Sequence, residues 1–210
     1  MRRELFFAIP GDLATPTGGY GYDRRLIGEL SALGWTVHVA ALAGSYPFPT
    51  RSDRQAARAI LAAMPDGALA VVDGLAFGAM DELAAREAER LRLVALVHHP
   101  LADETGRSAS EITAFERSER EALSHARAVI CTSTTTARRL RSGYGVPPER
   151  LTVAPPGTER KTRAPLQGNP PMLLSLGALV PRKGHDVLIE ALERIRDLDW
   201  RARFAGPADR

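Results

Sequence analysis

"LAVVDGLAFGAMDELAAREAERLRLVALVHH", residues 69–99, reads as strand, helix, strand, and that reading sets the architecture of the 210-residue chain. Its two ends, "LAVVDG" (69–74) and "RLVALVHH" (92–99), are short, nearly continuous apolar runs. Runs of that length and content are strands buried on both faces. The segment near 79–91 between them is amphipathic and long enough for a helix. A strand, a covering helix and a second strand make the unit of a parallel sheet.

The same unit recurs in both directions along the chain. Upstream, "ELFFAI" (4–9) leads through a Gly-rich loop to a helix at 23–34, where Leu26, Leu30 and Leu33 fall at helical spacing and Gly34 caps the end. "TVHVAAL" (36–42) is the next strand, followed by a helix near 52–64. Downstream come a helix over about 109–127, the strand "AVICTS" (128–133), a helix near 134–142 that Ser133 or Thr134 caps, and "LTVAPPG" (151–157). The expected fold class is α/β, a doubly wound parallel sheet with helices on both faces. "GTERKTRAPLQGNPP" (157–171) breaks the rhythm with three prolines. The expected organisation is therefore a domain over 1–157, a linker over 158–171, and a second unit over 172–210 built from "MLLSLG", "DVLIEALERIRDL" and "RARFAG".

Charge and cysteine usage remove several function classes. The net charge is only +3, lysine occurs only at Lys161 and Lys183, and the arginines alternate with glutamates along helices. Solvated helix faces account for that pattern, and no basic stripe or reader module points to nucleic acid. Cys131 is the single cysteine, so neither an internal disulfide nor a multi-thiolate metal site is expected. The first apolar run ends at Pro10, too short for a signal-peptide core, and no run reaches the roughly 18 apolar residues of a membrane span. A soluble, cytoplasmic protein is the expectation.

Three places carry candidate chemistry. In "GDLATPTGGYGYD" (11–23), Gly18 and Gly19 let the backbone approach a ligand at the carboxyl end of the first strand; the same composition also suits a plain flexible turn. Its spacing is not that of the dinucleotide fingerprint, and the second strand ends without a ribose-binding acid, which disfavours a nicotinamide-dependent oxidoreductase. His98 and His99 end the fourth strand, and alternation turns the two rings to different sides, so at most one faces a cleft. Asp103 and Glu104 on the next loop either bind a hydroxylated substrate or serve as charges at a helix start. Asp73 ends the third strand as a substrate ligand or as half of an Asp-Gly turn. Last, Arg182 and Lys183 precede Gly184 in the turn between strand and helix, as a diphosphate grip or a bland basic turn.

Taken in order, the Gly-Gly loop, the strand-end "HH", "TVAPPGTE" and "LGALVPRKGHDVLIEAL" resemble the retaining family-4 glycosyltransferases of the GT-B fold. The resemblance runs over essentially the whole chain, and its last segment, G-x-L-x-x-R-K-G with the helix, is the most specific. It implies two Rossmann-like domains facing a cleft, the first for the acceptor and the second for a nucleotide-sugar donor. It implies hexosyl transfer with retention, with no cofactor and no metal. By resemblance, His98 or His99 meets the reaction centre, and Gly18, Gly19, Arg182 and Lys183 serve the donor. Tyr20, Asp73, Asp103 and Glu104 serve the acceptor, which is a glycan, a lipid-linked sugar or a small molecule, with peripheral membrane contact allowed. Two departures stand out. Ala178 occupies a position where the family often has Arg, and the family's donor-domain E-x(7)-E segment is not among residues 172–210. Residues 172–210 then read as the incomplete start of a donor domain. The isolated chain is expected to be inactive or to need a chain that supplies the rest. The alternative reading is a non-catalytic carbohydrate- or nucleotide-binding remnant.

Overall fold

The computed structural model describes residues 3–163 and 168–207, so Ala164 to Gln167 of the expected linker lie outside the described residues. The chain divides into two compact units, 1–103 with 107–157, and 104–106 with 158–210.

The first unit is a six-stranded parallel sheet in the order β2-β1-β3-β4-β5-β6. Its strands are β1 (Glu4–Pro10), β2 (Thr36–Leu42), β3 (Leu69–Asp73), β4 (Arg92–Val97), β5 (Ala128–Cys131) and β6 (Leu151–Val153). The alternation of side chains along each strand sorts the core into two layers. Leu5, Phe7, Ile9, Val71, Val94 and Leu96 meet the helix α1 (Gly18–Ala32) through Leu26, Ile27 and Leu30. Ala8, Ala70, Val72, Leu93, Ala95, Val97 and Val129 face the opposite layer. That layer also holds buried residues of α2 (Arg51–Ala62), α3 (Gly74–Phe77), α4 (Asp81–Glu87), α5 (Ala109–Ser124) and α6 (Thr134–Tyr144). Helices thus cover both faces of a parallel sheet, as the apolar runs require.

Local chemistry sets the helix limits. Thr50 with Asp53 and Ser108 with Glu111 form capping boxes at α2 and α5, each worth about 1 kcal/mol. Ser133 caps α6 through the Thr136 amide. Three expected boundaries move. α1 starts at Gly18 rather than near 23, because Thr17 caps it and accepts from the Tyr20 amide. The helix expected near 79–91 is the shorter α4, and a separate one-turn helix, α3, precedes it across Gly78–Met80. A Cβ on Gly78 would lie 2.8 Å from Leu101 Cδ1 and 3.1 Å from Glu119 Cγ, so the chain turns where only glycine fits. The last strand of the unit spans three residues, not seven, because Pro155 and Pro156 end the ladder.

The second unit pairs β7 (Met172–Leu176) with β8 (Arg201–Ala205) in parallel, joined through α7 (His185–Glu193). Within it His185 packs edge-on against Phe204, and its Nε2 lies 3.1 Å from the Ala178 carbonyl. Among the apolar residues of α7 and its extension, Leu192 is buried and Ile195 is exposed. Leu174 and Leu176 of β7 are also exposed. Among the described residues no helix is long and apolar enough to cross a membrane.

Candidate active site

Strand alternation predicts which side chains meet at the carboxyl edge of the first sheet. In β4, Val94 and Leu96 face α1, and His98, two residues beyond Leu96, lies on that side. In β3, Val71 faces α1, and Asp73 follows it. The two side chains therefore converge beneath α1, where Asp23 is fully buried. His98 Nε2 lies 3.2 Å from Asp23 Oδ1 and 3.4 Å from Asp73 Oδ2. Asp73 also caps α3 by accepting from the Leu75 amide at 2.8 Å.

Three further contacts fix the imidazole. A Cβ on Gly19 would stand 3.3 Å from His98 Cδ2, so the glycine lets the first turn of α1 close over the ring. Tyr22 meets the ring edge-on with centroids 5.5 Å apart, and its hydroxyl donates to the Ala154 carbonyl at 3.0 Å. The His98 carbonyl accepts from the Thr132 hydroxyl at 3.1 Å. With Nε2 given to the carboxylates, Nδ1 is the nitrogen left to meet a ligand.

The electrostatics follow from burial and pairing. Burial alone would lower the imidazole pKa, but the hydrogen bonds and charges of Asp23 and Asp73 outweigh it and raise it to about 9. Burial raises the Asp23 carboxyl, as does the Asp73 charge, while His98 pulls it back. Asp23 Oδ2 is buried without a hydrogen-bond partner, so the charge of this carboxylate is met by His98 alone on its other oxygen. The arrangement holds an imidazolium near neutral pH. The three side chains offer atoms within 4.8 Å of one another, a spacing that also suits a cation, and the imidazolium N–H fills that role.

The other candidates are placed differently. Gly18 opens the first turn of α1 with nothing within 4 Å of its missing Cβ. Tyr20 donates its hydroxyl to the Pro10 carbonyl at 2.6 Å, tying α1 to the end of β1. Asp73 is buried and reaches His98 rather than the surface. Asp103 pairs with Arg139 of α6 at 3.1 Å, and Glu104 is the next residue of that loop. Arg182 and Lys183 belong to the second unit, exposed in a single turn closed by Gly184 at φ +62°. The Lys183 stem lies along Gly177, where a Cβ would stand 3.4 Å from its Cδ. Asp23 is the residue the sequence reading missed. Its signal is position: it stands three and seven residues before Leu26 and Leu30, on the apolar stripe of α1.

Glu119 of α5 anchors the loop that follows the histidines. It is 1% exposed and accepts from the Leu101 amide at 3.0 Å. Burial pushes its pKa up from 4.5 to about 8, against the pull of that amide. A carboxyl raised on folding stabilises most below its unfolded pKa, and stability is lost as pH rises through the folded one. Glu119→Gln is expected to match the parent near pH 4 and to exceed it by about 1–3 kcal/mol at pH 9 in urea unfolding. A constant difference across that range would contradict the assignment.

The family profile described as Glycosyltransferase Family 4 matches residues 22–161, a span that includes Asp23, Asp73 and His98. No curated protein matches the chain.

Proposed function

The chain belongs to Glycosyltransferase Family 4, and on that premise we propose that it transfers a sugar from a nucleotide-sugar donor to a hydroxyl acceptor with retention at the anomeric carbon. The observation that carries this reading is the imidazolium of His98, clamped by Asp23 and Asp73 with Nδ1 left for a substrate. In the proposed step the bond from the anomeric carbon to the diphosphate oxygen breaks. The acceptor oxygen bonds to the same face of that carbon, and the acceptor proton passes to the departing diphosphate. Charge grows on the leaving group as this happens, and preorganised cations stabilise such charge strongly. His98 is held protonated, so its part is to donate a hydrogen bond and supply positive charge, not to take a proton.

The remaining roles follow from chemistry and sequence position. Lys183 and Arg182, exposed donors in the second unit, are proposed to take the donor diphosphate. Gly18 and the free amides at the start of α1 suit an anionic or hydroxylated group of the donor. The acceptor is proposed to lie along the loop after β4, where Asp103 and Glu104 offer carboxylates to its hydroxyls. Asp73 acts on the acceptor only through His98.

The test is release of nucleoside diphosphate. The protein in the form its gene encodes is incubated with a panel of nucleotide sugars, with and without hydroxyl acceptors. Acceptor-dependent release from one donor, with a product of retained anomeric configuration, is the expected result. Binding of nucleotide sugars without release under any condition would favour the non-catalytic reading instead.

A further inference from the structure

The loop that follows the strand-end histidines is held by a buried carboxyl that the proposed reaction does not use. Glu119 of α5 is 1% exposed, and its Oε2 accepts from the Leu101 amide at 3.0 Å. Its other oxygen, Oε1, is buried without a hydrogen-bond partner. Tyr144 of α6 stands beside the carboxyl, and its hydroxyl is likewise buried and unpartnered. The positive charge acting on the site, Arg139 of α6, is already committed to Asp103 at 3.1 Å and Glu116 at 2.8 Å. Asp103 ends the single turn that Leu101 begins, and it adds a negative charge. The neighbouring Gly78 and α3 bring no titratable side chain. α4, also packed on α5, turns Asp81, Glu82 and Arg86 to the groove it shares with α2 and ties Glu87 to Arg90 at 2.6 Å.

We propose that Glu119 positions this loop as a proton-operated latch, closed by a neutral carboxyl and released by an ionised one. A neutral carboxyl still accepts from the Leu101 amide and asks for no counter-charge. An ionised one buries a charge met by one amide on one oxygen and by no donor on the other, which disfavours the closed loop. Lifting the loop lets water reach the carboxylate, so ionisation and opening favour each other. With the loop closed, burial raises the carboxyl to about 8, whereas a hydrated one titrates near 4.5. The latch is therefore strongest below pH 4.5 and weakens as pH rises toward about 8. Its use in catalysis rests on the reading of this loop as the acceptor's. Release loosens Leu101 to Asp103, while Asp23 and Asp73 continue to hold His98.

Amide hydrogen exchange of the full chain between about pH 5 and pH 9, corrected for the intrinsic exchange rate, tests the latch without reference to activity. Protection at Leu101 is expected to fall about tenfold per pH unit up to about pH 8 and to level off above it. Ala95 and Leu96 within β4 should stay better protected throughout, which marks the opening as local. Glu119→Gln accepts the same amide bond and cannot ionise, so its Leu101 protection should stay flat across the range. Three results overturn the latch: Leu101 protection that ignores pH in the parent, that falls equally in Glu119→Gln, or that equals Ala95 throughout. The link to the acceptor is read from kinetics. The acceptor KM should rise several-fold between about pH 6 and pH 8 in the parent and stay level in Glu119→Gln, with the donor KM alike in both. Acceptor KM values that agree in the two proteins at every pH overturn that link. Absence of any sugar transfer overturns the proposed function instead, and the exchange result still decides the latch.

Discussion

His98→Ala is expected to lower kcat for sugar transfer by about 10²- to 10⁴-fold, the range in which loss of a preorganised charge or proton donor falls. KM should change little, because the lost interaction strengthens as charge develops on the leaving group. The substitution has a second, separable effect. Without the imidazolium, Asp23 and Asp73 face each other in a buried space with their charges unmatched. Removing one partner of a buried ion pair costs about 3–5 kcal/mol. The deficit should shrink as pH falls and Asp23, whose carboxyl burial already pushes upward, takes up a proton. Activity is therefore compared per folded molecule, with unfolding curves at pH 5 and pH 7. A variant that keeps the parental kcat would remove His98 from the reaction.

Asp23→Asn separates holding the proton from holding the ring. The amide keeps the shape of the side chain and discards its charge, leaving Asp73 as the only anion beside the imidazole. An opposite charge at this distance shifts a pKa by about 1–3 units, so His98 should titrate lower than its present value of about 9. The imidazole proton resonances report that shift directly. The alkaline limb of the rate profile should move to lower pH by the same amount. The sign of the stability effect is fixed as well. A histidine whose pKa rises on folding stabilises fully below its unfolded value of 6.5, and that contribution is lost as pH rises through about 9. The variant should thus lag the parent most below pH 6.5 and draw level above pH 9. An alkaline limb that does not move would show that Asp23 is packing alone.

The strands were legible because each is a short apolar run bounded by turn residues, and burial on both faces leaves no other use for such a run. Residues 4–9, 36–42 and 69–74 needed little adjustment. That His98 and His99 differ in side was readable from alternation along β4, but which of them meets α1 was not. What escaped the sequence is non-local or depends on space. The partners Asp23 and His98 are 75 residues apart, and only the register of β1, β3 and β4 beneath α1 brings them together. Gly18 and Gly19 read as loop because glycine disfavours helix interiors. They are helical because Thr17 caps the turn, and at Gly19 a Cβ would stand 3.3 Å from the His98 ring. The break at Gly78 answers to Leu101 and Glu119, which no local pattern announces.

Tyr22 has a consequence of its own. Its ring rests on the imidazole at the end of β4, and its hydroxyl holds the carbonyl of Ala154, the residue after β6. One rigid side chain thus spans from the middle of the sheet to its edge. The phenol cannot tilt away from His98 without releasing Ala154, and Ala154 cannot shift without tugging the phenol. Ala154 is also where the chain leaves the sheet toward Gly157 and the rest of the polypeptide. Tyr22 thus ties the point where the chain leaves the sheet to the ring that holds the proton.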